Sequence, residues 1–449
     1  MNLIVIVSDT FRADNLTAYG NADVRTPNLD RLAREGVAFK NCYADGLPTI
    51  PARRVFFTGK SIIPMAKHGG WRPIGEGHPT LSEVLQDIGY TTAFYTDTHP
   101  YFEPGMDFHR GHTPRFPDTF DSWCWIRGQQ TDAWRSGPRE KFDPRDHMPD
   151  HLWNEDYNDK MLQYLMNTQD IVHEEDYFCA RTLREAGKWL ERNRGNQPFF
   201  LWVDTFDPHE PWDAPRRFQE MYYDDYPYER YLFGYGVNRK DIRQEDYPVL
   251  RALYAAEVTF LDMWIGEFLN RVHDLGLMDD TIIVFSSDHG TQLGEKGWVQ
   301  KAPPAPLDSH DAQLPLLVRH PDGPSGRQVH QLVSAVDFMP TFLDMLGVEE
   351  RPPMDGKNFW DLVTGTEEAI HDRVFIEFHS YAAVRDTKWH YYQSKGDDAR
   401  QACGEAPAMG LYDLARDPAE TRNVAEANPE VVRQQRTRLA ERLESSLPS

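Results

Sequence analysis

The sequence has few cysteines and no long hydrophobic run. Its four cysteines in 449 residues show no CxxC spacing, so a disulfide framework is not expected. No stretch of about 18 apolar residues is present, so no transmembrane helix is expected. The apolar run that begins at Leu3 ends at Asp9 and is too short for a signal peptide. These absences predict a cytoplasmic protein.

Basic residues are also scarce. The chain has 48 Lys and Arg against 71 Asp and Glu, which gives a formal net charge of −23. Such a charge repels nucleic acids and anionic membranes, so neither is predicted as a partner. A simpler interpretation of the charge is a well-solvated surface without a specific function. With 40% hydrophobic and 27% charged residues, the composition is that of a folded protein with a packed core.

Apolar runs alternate with helical patterns along the chain. Leu3–Val7 is a continuous apolar run, which is typical of a strand buried on both faces of a parallel sheet. The predicted strands are Leu3–Val7, Thr91–Tyr95, Phe199–Val203, Thr281–Phe285 and Leu314–Val318, and the predicted helices are Pro27–Glu35, Thr80–Ile88, Asp176–Arg194 and Tyr247–Leu275. This alternation predicts an α/β fold with a doubly wound, mostly parallel sheet flanked by helices.

Two regions depart from this alternation. Residues 100–170 are rich in tryptophan and weakly periodic, and we expect either a lid or pocket wall or a local core there. Residues 366–449 contain short strand-like runs and a helical pattern at Pro429–Leu443. We therefore predict a catalytic domain over residues 1–365, which includes the insertion. A small C-terminal α+β subdomain is predicted over residues 366–449, with an antiparallel sheet and a terminal helix.

Aspartates follow several of the predicted strands. They are Asp9, Asp97, Asp204 with Asp207, and Asp288. In doubly wound sheets the functional groups lie at the carboxyl ends of strands, so acidic groups on one edge predict a bound cation. For any one of these residues alone, a turn or a helix cap is the simpler interpretation.

A segment around Thr49 resembles a known signature. Thr49-Ile50-Pro51-Ala52-Arg53, followed by Thr58-Gly59-Lys60, is similar to the sulfatase motif, in which Cys or Ser, any residue, Pro, a small residue and Arg precede a Thr-Gly pair. Other family-like segments follow in order and begin at Asp9, Thr26, Asp207, Ser287, Leu314, Val336 and Leu411. The chain therefore resembles the sulfatase family of the alkaline phosphatase superfamily over essentially its full length.

The resemblance implies a metal site and a nucleophile. Asp9, Asp288 and His289 would bind one divalent metal ion, and the Thr49 hydroxyl would complete the ligand set. Coordination would lower the pKa of this hydroxyl and prepare Thr49 as the nucleophile.

The resemblance also implies further catalytic side chains. Arg53 would stabilise the alkoxide and the transferring group, while His209 and Lys301 would donate to the substrate oxygens. His99 retains a histidine position of the family. Singly, these residues have simpler interpretations as an ion pair, a turn residue or a solvated lysine, but together they favour catalysis.

Thr49 departs from the sulfatase pattern. Sulfatases oxidise Cys or Ser to formylglycine, whose hydrate releases sulfate and regenerates the aldehyde. Because threonine carries a methyl group on its carbinol carbon, oxidation would give a ketone in place of this aldehyde. Phosphoryl-transfer members of the superfamily use an unmodified Thr or Ser. Thr49 therefore favours a phosphorus ester as substrate.

Two further departures concern the metal ligands. Thr10, a candidate substrate-binding residue, replaces the usual second aspartate, and His289 replaces the usual asparagine. The resulting pattern is most similar to phosphonate monoester hydrolases and related phosphodiesterases. A nitrogen donor shifts the expected metal toward Mn²⁺, Zn²⁺ or Fe²⁺, with Ca²⁺ as the alternative.

Two more candidates concern substrate binding. Asp97 replaces a lysine of the family, which favours monoanionic substrates; alternatively it binds a substrate ammonium group or pairs with Lys301. His310 is the other candidate, and with Asp207 and His209 it is also a potential second metal site. Because Lys301 would occupy the place of a second metal, we expect one metal ion.

Together, these features predict a metal-dependent hydrolase of phosphate diesters or phosphonate monoesters, acting through a covalent phospho-threonine at Thr49. The alternatives are a sulfatase acting without formylglycine, a phosphatase or phosphoryl transferase, and an inactive anion-binding protein. The expected partner is a small-molecule ester, and the resemblance implies a homo-oligomer, either a dimer or a tetramer.

Overall fold

The described strands form one nine-stranded, one five-stranded and one two-stranded sheet. The computed structural model describes residues 1–64, 74, 77–102, 116–233, 239–301, 307–379, 381–395 and 408–444. The strands found there are β1 (Asn2–Ser8), β2 (Val37–Tyr43), β3 (Gly46–Leu47), β4 (Thr91–Thr96), β5 (Ser122–Trp125), β6 (Phe199–Thr205), β7 (Thr281–Ser287), β8 (Gln292–Leu293), β9 (Val299–Gln300), β10 (Gln313–Leu314), β11 (Leu316–Arg319), β12 (Arg327–Ser334), β13 (Arg373–Phe378), β14 (Tyr381–Asp386), β15 (Trp389–Ser394) and β16 (Met409–Asp413).

The larger sheet has nine strands in the order β10-β2-β11-β7-β1-β6-β4-β5, with β12 paired to β2. Its five strands from β7 to β5 run parallel, and β11 runs antiparallel to β7 and β2. The α-helices of the same described ranges are α1 (Pro27–Glu35), α2 (Thr49–Thr58), α3 (Leu81–Asp87), α4 (Asn158–Thr168), α5 (Phe178–Arg192), α6 (Arg216–Gln219), α7 (Asp246–Asp274), α8 (Ser309–Ala312), α9 (Phe338–Met345), α10 (Asp361–Thr364) and α11 (Pro429–Glu444). The predicted α/β class with a mostly parallel sheet is confirmed.

Alternate side chains of β1 enter two different cores. Leu3, Val5 and Val7 pack with residues of α2, α3 and α9, whereas Ile4 and Ile6 pack with residues of α1, α5 and α7. All five side chains are fully buried, and each contributes about 1.5–3 kcal/mol of hydrophobic free energy. Helices therefore cover both faces of the sheet, which explains why β1 is apolar from Leu3 to Val7.

The predicted strand Leu314–Val318 is wrong as a single element. The structure divides it into β10 and β11, with Pro315 between them. Proline has no N–H to donate to a neighbouring strand. The carbonyl oxygen of Pro315 does have a partner: it accepts a hydrogen bond from Ser286 Oγ at 2.8 Å.

The smaller sheet has five strands in the order β16-β15-β14-β13-β3. Strand β3 comes from the N-terminal part of the chain and pairs in parallel with β13, with Leu47 opposite Phe378. Helix α11 packs on this sheet through Val432 and Leu439. The division of the chain near residue 365 stays a prediction, but the chain segment that leads into Thr49 is part of this smaller sheet.

The tryptophan-rich region contributes to both the sheet and a local core. Strand β5 is the edge strand beside β4. Trp134 and Trp153 pack against a small cluster that includes Tyr164 and Phe178, whereas Trp123 is 47% exposed. Residues 103–115 of the predicted insertion lie outside the described residues. None of the helices in the described part of the chain is long and apolar enough to cross a membrane.

Candidate active site

The register of β1 and β7 brings three potential metal ligands together. Ser8 is paired with Ser287, so the residues that follow, Asp9 and Asp288, leave the sheet side by side. Asp9, Asp288 and His289 are fully buried, and one ligand atom of each lies within 4.8 Å of the others. This group is able to hold a metal ion.

The ligand atoms of this group fit a divalent cation. Among the described residues, neither Asp9 Oδ2 nor His289 Nε2 has a hydrogen-bond partner, although both are buried. His289 Nδ1 lies 2.8 Å from the Gly290 carbonyl oxygen, which can only accept, so the lone pair is on Nε2. Burial lowers the pKa of His289 to about 4, so the imidazole is neutral. Two carboxylates and a neutral imidazole suit a divalent transition metal.

Thr49 lies at the first turn of α2 beside this group. It is buried, and the Nη1 atom of Arg53, one turn later, donates to the Thr49 carbonyl oxygen at 3.1 Å. The same nitrogen lies 3.2 Å from Asp9 Oδ2 and also contacts Asp288. One guanidinium therefore ties the Thr49 turn to two of the potential metal ligands. The amino end of a helix also favours negative charge, as on an alkoxide or a phosphoryl group.

Asp204 is the main counterion of Arg53. Its carboxylate accepts hydrogen bonds from Arg53 Nε at 2.9 Å and Arg53 Nη2 at 2.7 Å. Thr98, Tyr101 and Trp202 donate to the same carboxylate. Asp204 is thus fully engaged by Arg53 and three neutral donors, and it is not one of the potential metal ligands. Two of the acidic strand ends, Asp9 and Asp288, belong to the potential metal site, and Asp204 lies outside it.

The contacts of Asp97 differ from the predicted pairing with Lys301. Its Oδ2 accepts from Gln129 Nε2 at 3.1 Å, and its Oδ1 accepts from the Phe206 amide at 3.1 Å. Gln129 also donates to Asp207 Oδ1 at 2.8 Å. Burial, followed by the nearby Asp207, raises the pKa of Asp97 well above its usual value. Asp97 is fully buried within the protein and is not paired with Lys301.

Thr10 contacts Asp9 directly, and Lys301 contacts Thr10. The Thr10 hydroxyl donates to Asp9 Oδ1 at 2.7 Å and accepts from Lys301 Nζ at 3.2 Å, while the Thr10 amide donates to Asp288 Oδ1 at 3.0 Å. Lys301 Nζ also lies 3.6 Å from Glu210 Oε2. Thr10 has a φ of 66°, which is unusual for a β-branched residue and is consistent with a constrained site.

His209 and His99 both contact the ring of Phe206. His209 stacks on it with centroids 4.1 Å apart, and His99 meets it edge-on at 5.1 Å. Burial, followed by the nearby Lys301, lowers the pKa of His209 well below its usual value. His209 is therefore neutral at neutral pH.

The sequence analysis missed several residues with contacts at this site, among them Gln129, Gln130 and Glu210. Gln129, as described above, bridges Asp97 and Asp207. Gln130 Nε2 lies 2.9 Å from His209 Nδ1 and donates to the Glu210 carbonyl oxygen at 2.8 Å. Glu210 follows His209 directly, which was the only available signal for it. The two glutamines belong to the weakly periodic insertion, where no motif marks them.

His310 does not join His209 and Asp207. Its Nδ1 lies 3.2 Å from Asp308 Oδ1, and its side chain lines a cavity of about 660 Å³ together with Asp14 and Arg385. Within the described residues, Asp9, Asp288 and His289 are the only group of three potential ligands. The second metal set is therefore not assembled, and the contacts of His310 give no support to a role in binding substrate beside Thr49.

Comparisons with known proteins identify the family of the chain. The family model named Sulfatase matches residues 1–348, and the model named N-sulphoglucosamine sulphohydrolase, C-terminal, matches residues 294–447. An arylsulfatase of Clostridium perfringens is 24% identical and is aligned over 94% of this chain and 90% of its own length. A choline-sulfatase of Rhizobium meliloti is 27% identical, over 95% of this chain and 83% of its own length.

A solved structure gives the same picture of the fold. The phosphonate monoester hydrolase of Agrobacterium radiobacter superimposes with a TM-score of 0.77 at 24% identity, covering 99% of this chain and 96% of that chain. At this identity the likeness shows the fold alone. The family model, which matches most of the chain, also shows the family to which the chain belongs. The chain belongs to the sulfatase family of the alkaline phosphatase superfamily and is a hydrolase that acts on ester bonds.

Proposed function

We propose that the protein is a metal-dependent hydrolase of phosphate diesters or phosphonate monoesters, with Thr49 as its nucleophile. The observation that carries the proposal is a threonine at the first turn of α2, at the signature position of Cys or Ser. Threonine cannot give the formylglycine aldehyde on which sulfate release depends. A threonine hydroxyl can, however, attack phosphorus directly.

A divalent ion held by Asp9, Asp288 and His289 supplies Lewis acidity and lowers the pKa of a coordinated hydroxyl group. Two carboxylates and an imidazole favour Mn²⁺, Zn²⁺ or Fe²⁺, with Ca²⁺ as the alternative. In the proposed reaction, Thr49 Oγ1 forms a bond to phosphorus as the bond to the leaving oxygen breaks. The alcohol leaves with the proton that Thr49 gives up. Water then cleaves the phospho-threonine and restores the hydroxyl group.

Side chains around Thr49 have defined parts in this proposal. Lys301, held by Thr10, is a cationic donor for a non-bridging oxygen. His209 is neutral, and its Nδ1 donates to the Glu210 carbonyl oxygen at 2.7 Å, so its Nε2 carries the lone pair and accepts a proton from the attacking water. Arg53 orients the Thr49 turn and is itself held by Asp204. His99 positions the ring of Phe206 on which His209 stacks.

The replacement of the family's lysine by Asp97 supports a substrate with a single negative charge. The family has a lysine at this position, and here a buried carboxyl group lies in its place. The site therefore has one cation fewer than the sulfatase pattern provides. A phosphate diester or phosphonate monoester, which carries one negative charge, needs fewer compensating cations than a phosphate monoester dianion.

The test is an assay of the purified, metal-loaded protein against para-nitrophenyl esters of four classes: phosphate diester, phosphonate monoester, phosphate monoester and sulfate. We expect the highest kcat/KM with the diester or the phosphonate. Thr49→Val, measured in parallel, controls for contaminating activity. Turnover of the sulfate ester that exceeds the others by orders of magnitude would exclude the proposal.

A sulfatase that acts without formylglycine is the second candidate. It is favoured by the curated relatives, which are named as an arylsulfatase and a choline-sulfatase. The same panel of substrates separates the two candidates. A small-molecule ester as substrate, a homo-oligomer and a cytoplasmic location remain part of the proposal.

A further inference from the structure

Glu210 is a buried acidic residue at the site without an assigned role. The residue is only 2% exposed, and within the described part of the chain its Oε2 atom has no hydrogen-bond partner. This oxygen lies 3.6 Å from Lys301 Nζ and 3.5 Å from His209 Nδ1. Glu210 does not belong to the group of potential metal ligands.

The distances indicate an electrostatic role. Oε2 approaches Lys301 but does not form a close hydrogen bond with it, so the carboxylate compensates the lysine charge without holding the ammonium group in place. Lys301 instead donates to Thr10 at 3.2 Å, which keeps it beside Asp9. In a buried site of low polarity, one elementary charge acts strongly on a bound anion.

The balance of charges shows what Glu210 contributes. Among the described residues, the ion pairs at the site join two cations, Arg53 and Lys301, to the carboxylates of Asp9, Asp204, Asp288 and Glu210. A divalent ion at Asp9, Asp288 and His289 would make this set neutral. Without the charge of Glu210, the set would carry one net positive charge. Asp97 and Asp207 form a separate pair, in which burial raises both pKa values and favours protonation.

We propose that Glu210 is a specificity-determining residue, which offsets the charge of Lys301 and so disfavours dianionic phosphate monoesters relative to monoanionic esters. The inference deepens the proposed function and rests on it for the reaction at Thr49. The residue acts through Lys301 and is not itself required to touch the reacting atoms.

The test compares Glu210→Gln with Glu210→Asp, which retains the charge. Their kcat/KM values are measured with para-nitrophenyl phosphate and bis-para-nitrophenyl phosphate, at a pH above the second phosphate pKa of about 6, where the monoester is a dianion. For Glu210→Gln, we expect the ratio of monoester to diester activity to rise on the order of tenfold. For Glu210→Asp, the ratio stays close to that of the wild type even if both rates fall.

A purely structural role would lower both activities of Glu210→Gln and leave their ratio unchanged, and that result would overturn the inference. Thermal denaturation and metal content show whether the variant is folded and loaded. Lys301→Met provides an independent arm, because it removes the cation and is expected to lower the same ratio. An unchanged ratio in Lys301→Met would also overturn the inference.

The outcome is separable from the proposed function. If sulfate proves to be the preferred substrate of the wild type, the proposed function fails, but a sulfate ester is also a monoanion. The ratio of phosphate monoester to sulfate monoester then reports the charge selectivity set by Glu210 in the same way.

Discussion

Replacement of Thr49 with valine is expected to lower kcat for the preferred ester by about four orders of magnitude or more, as loss of a nucleophile does in other hydrolases. Valine has nearly the shape of threonine and lacks only the hydroxyl group. Thr49 is buried at the start of α2, so the isosteric change preserves its packing. The measurement is steady-state kinetics on metal-loaded protein.

Thr49→Ser is the matched control for this prediction. It keeps the hydroxyl group and removes the methyl group, so we expect it to retain activity within about tenfold to a hundredfold of the wild type. If the valine variant is as active as the serine variant, Thr49 is not the nucleophile.

Replacement of Asp288 with asparagine is expected to abolish stoichiometric metal binding. The change removes a charged ligand from the buried group and leaves Asp9 and His289 with the positive charge of Arg53 nearby. Loss of a direct ligand should weaken metal binding on the order of a thousandfold, which exceeds the effect of removing an outer hydrogen-bond partner. Activity should fall with the bound metal. Inductively coupled plasma mass spectrometry of the dialysed protein measures the metal directly.

Asp14→Asn is the matched control for the metal prediction. Asp14 is an aspartate close in sequence to Asp9, but its side chain is half exposed and pairs with Arg12. We expect it to retain the metal. A chelator should lower the Tm of the wild type and of Asp14→Asn, because a bound ligand stabilises only the folded state, and should leave Asp288→Asn unchanged. Full metal content in Asp288→Asn would contradict the assignment.

Much of the fold follows from local sequence patterns. The helix predicted at Pro27–Glu35 has those bounds in the structure. Thr80 caps α3 through a capping box with Glu83, which sets the start of the helix predicted there. The meeting of Asp9 and Asp288 was also predictable, because both follow apolar strands and such strand ends lie on one edge of a parallel sheet.

Contacts that depend on strand order were not predictable. Arg53 and Asp204 are 151 residues apart. Their pairing requires that β6 lie next to β1, with the end of β6 close to the start of α2. Gln130 and His209 are 79 residues apart, and Gln130 comes from a region without clear periodicity. Local patterns identify the residues at the strand ends, but they do not show which polar side chains from distant parts of the chain contact each other.

One sequence motif gains a physical explanation from the fold. Asn28 and Leu29, in the first turn of α1, donate their backbone amides to Asp262 of α7 at 3.1 and 2.8 Å. A Cβ atom at Gly266 would collide with the Asn28 side chain. The Asn28 segment therefore fixes α1 on α7, which accounts for a family-like motif outside the active site.

Mass spectrometry of the covalent intermediate tests the central claim most directly. The metal-loaded protein is mixed with an excess of a para-nitrophenyl phosphonate or phosphate diester, quenched in acid during turnover and digested. We predict that the peptide containing Thr49 gains the mass of the phosphonyl or phosphoryl group, with fragmentation locating the group on Thr49. Turnover without an adduct on this peptide in the wild type, or an adduct on another residue, would contradict the account.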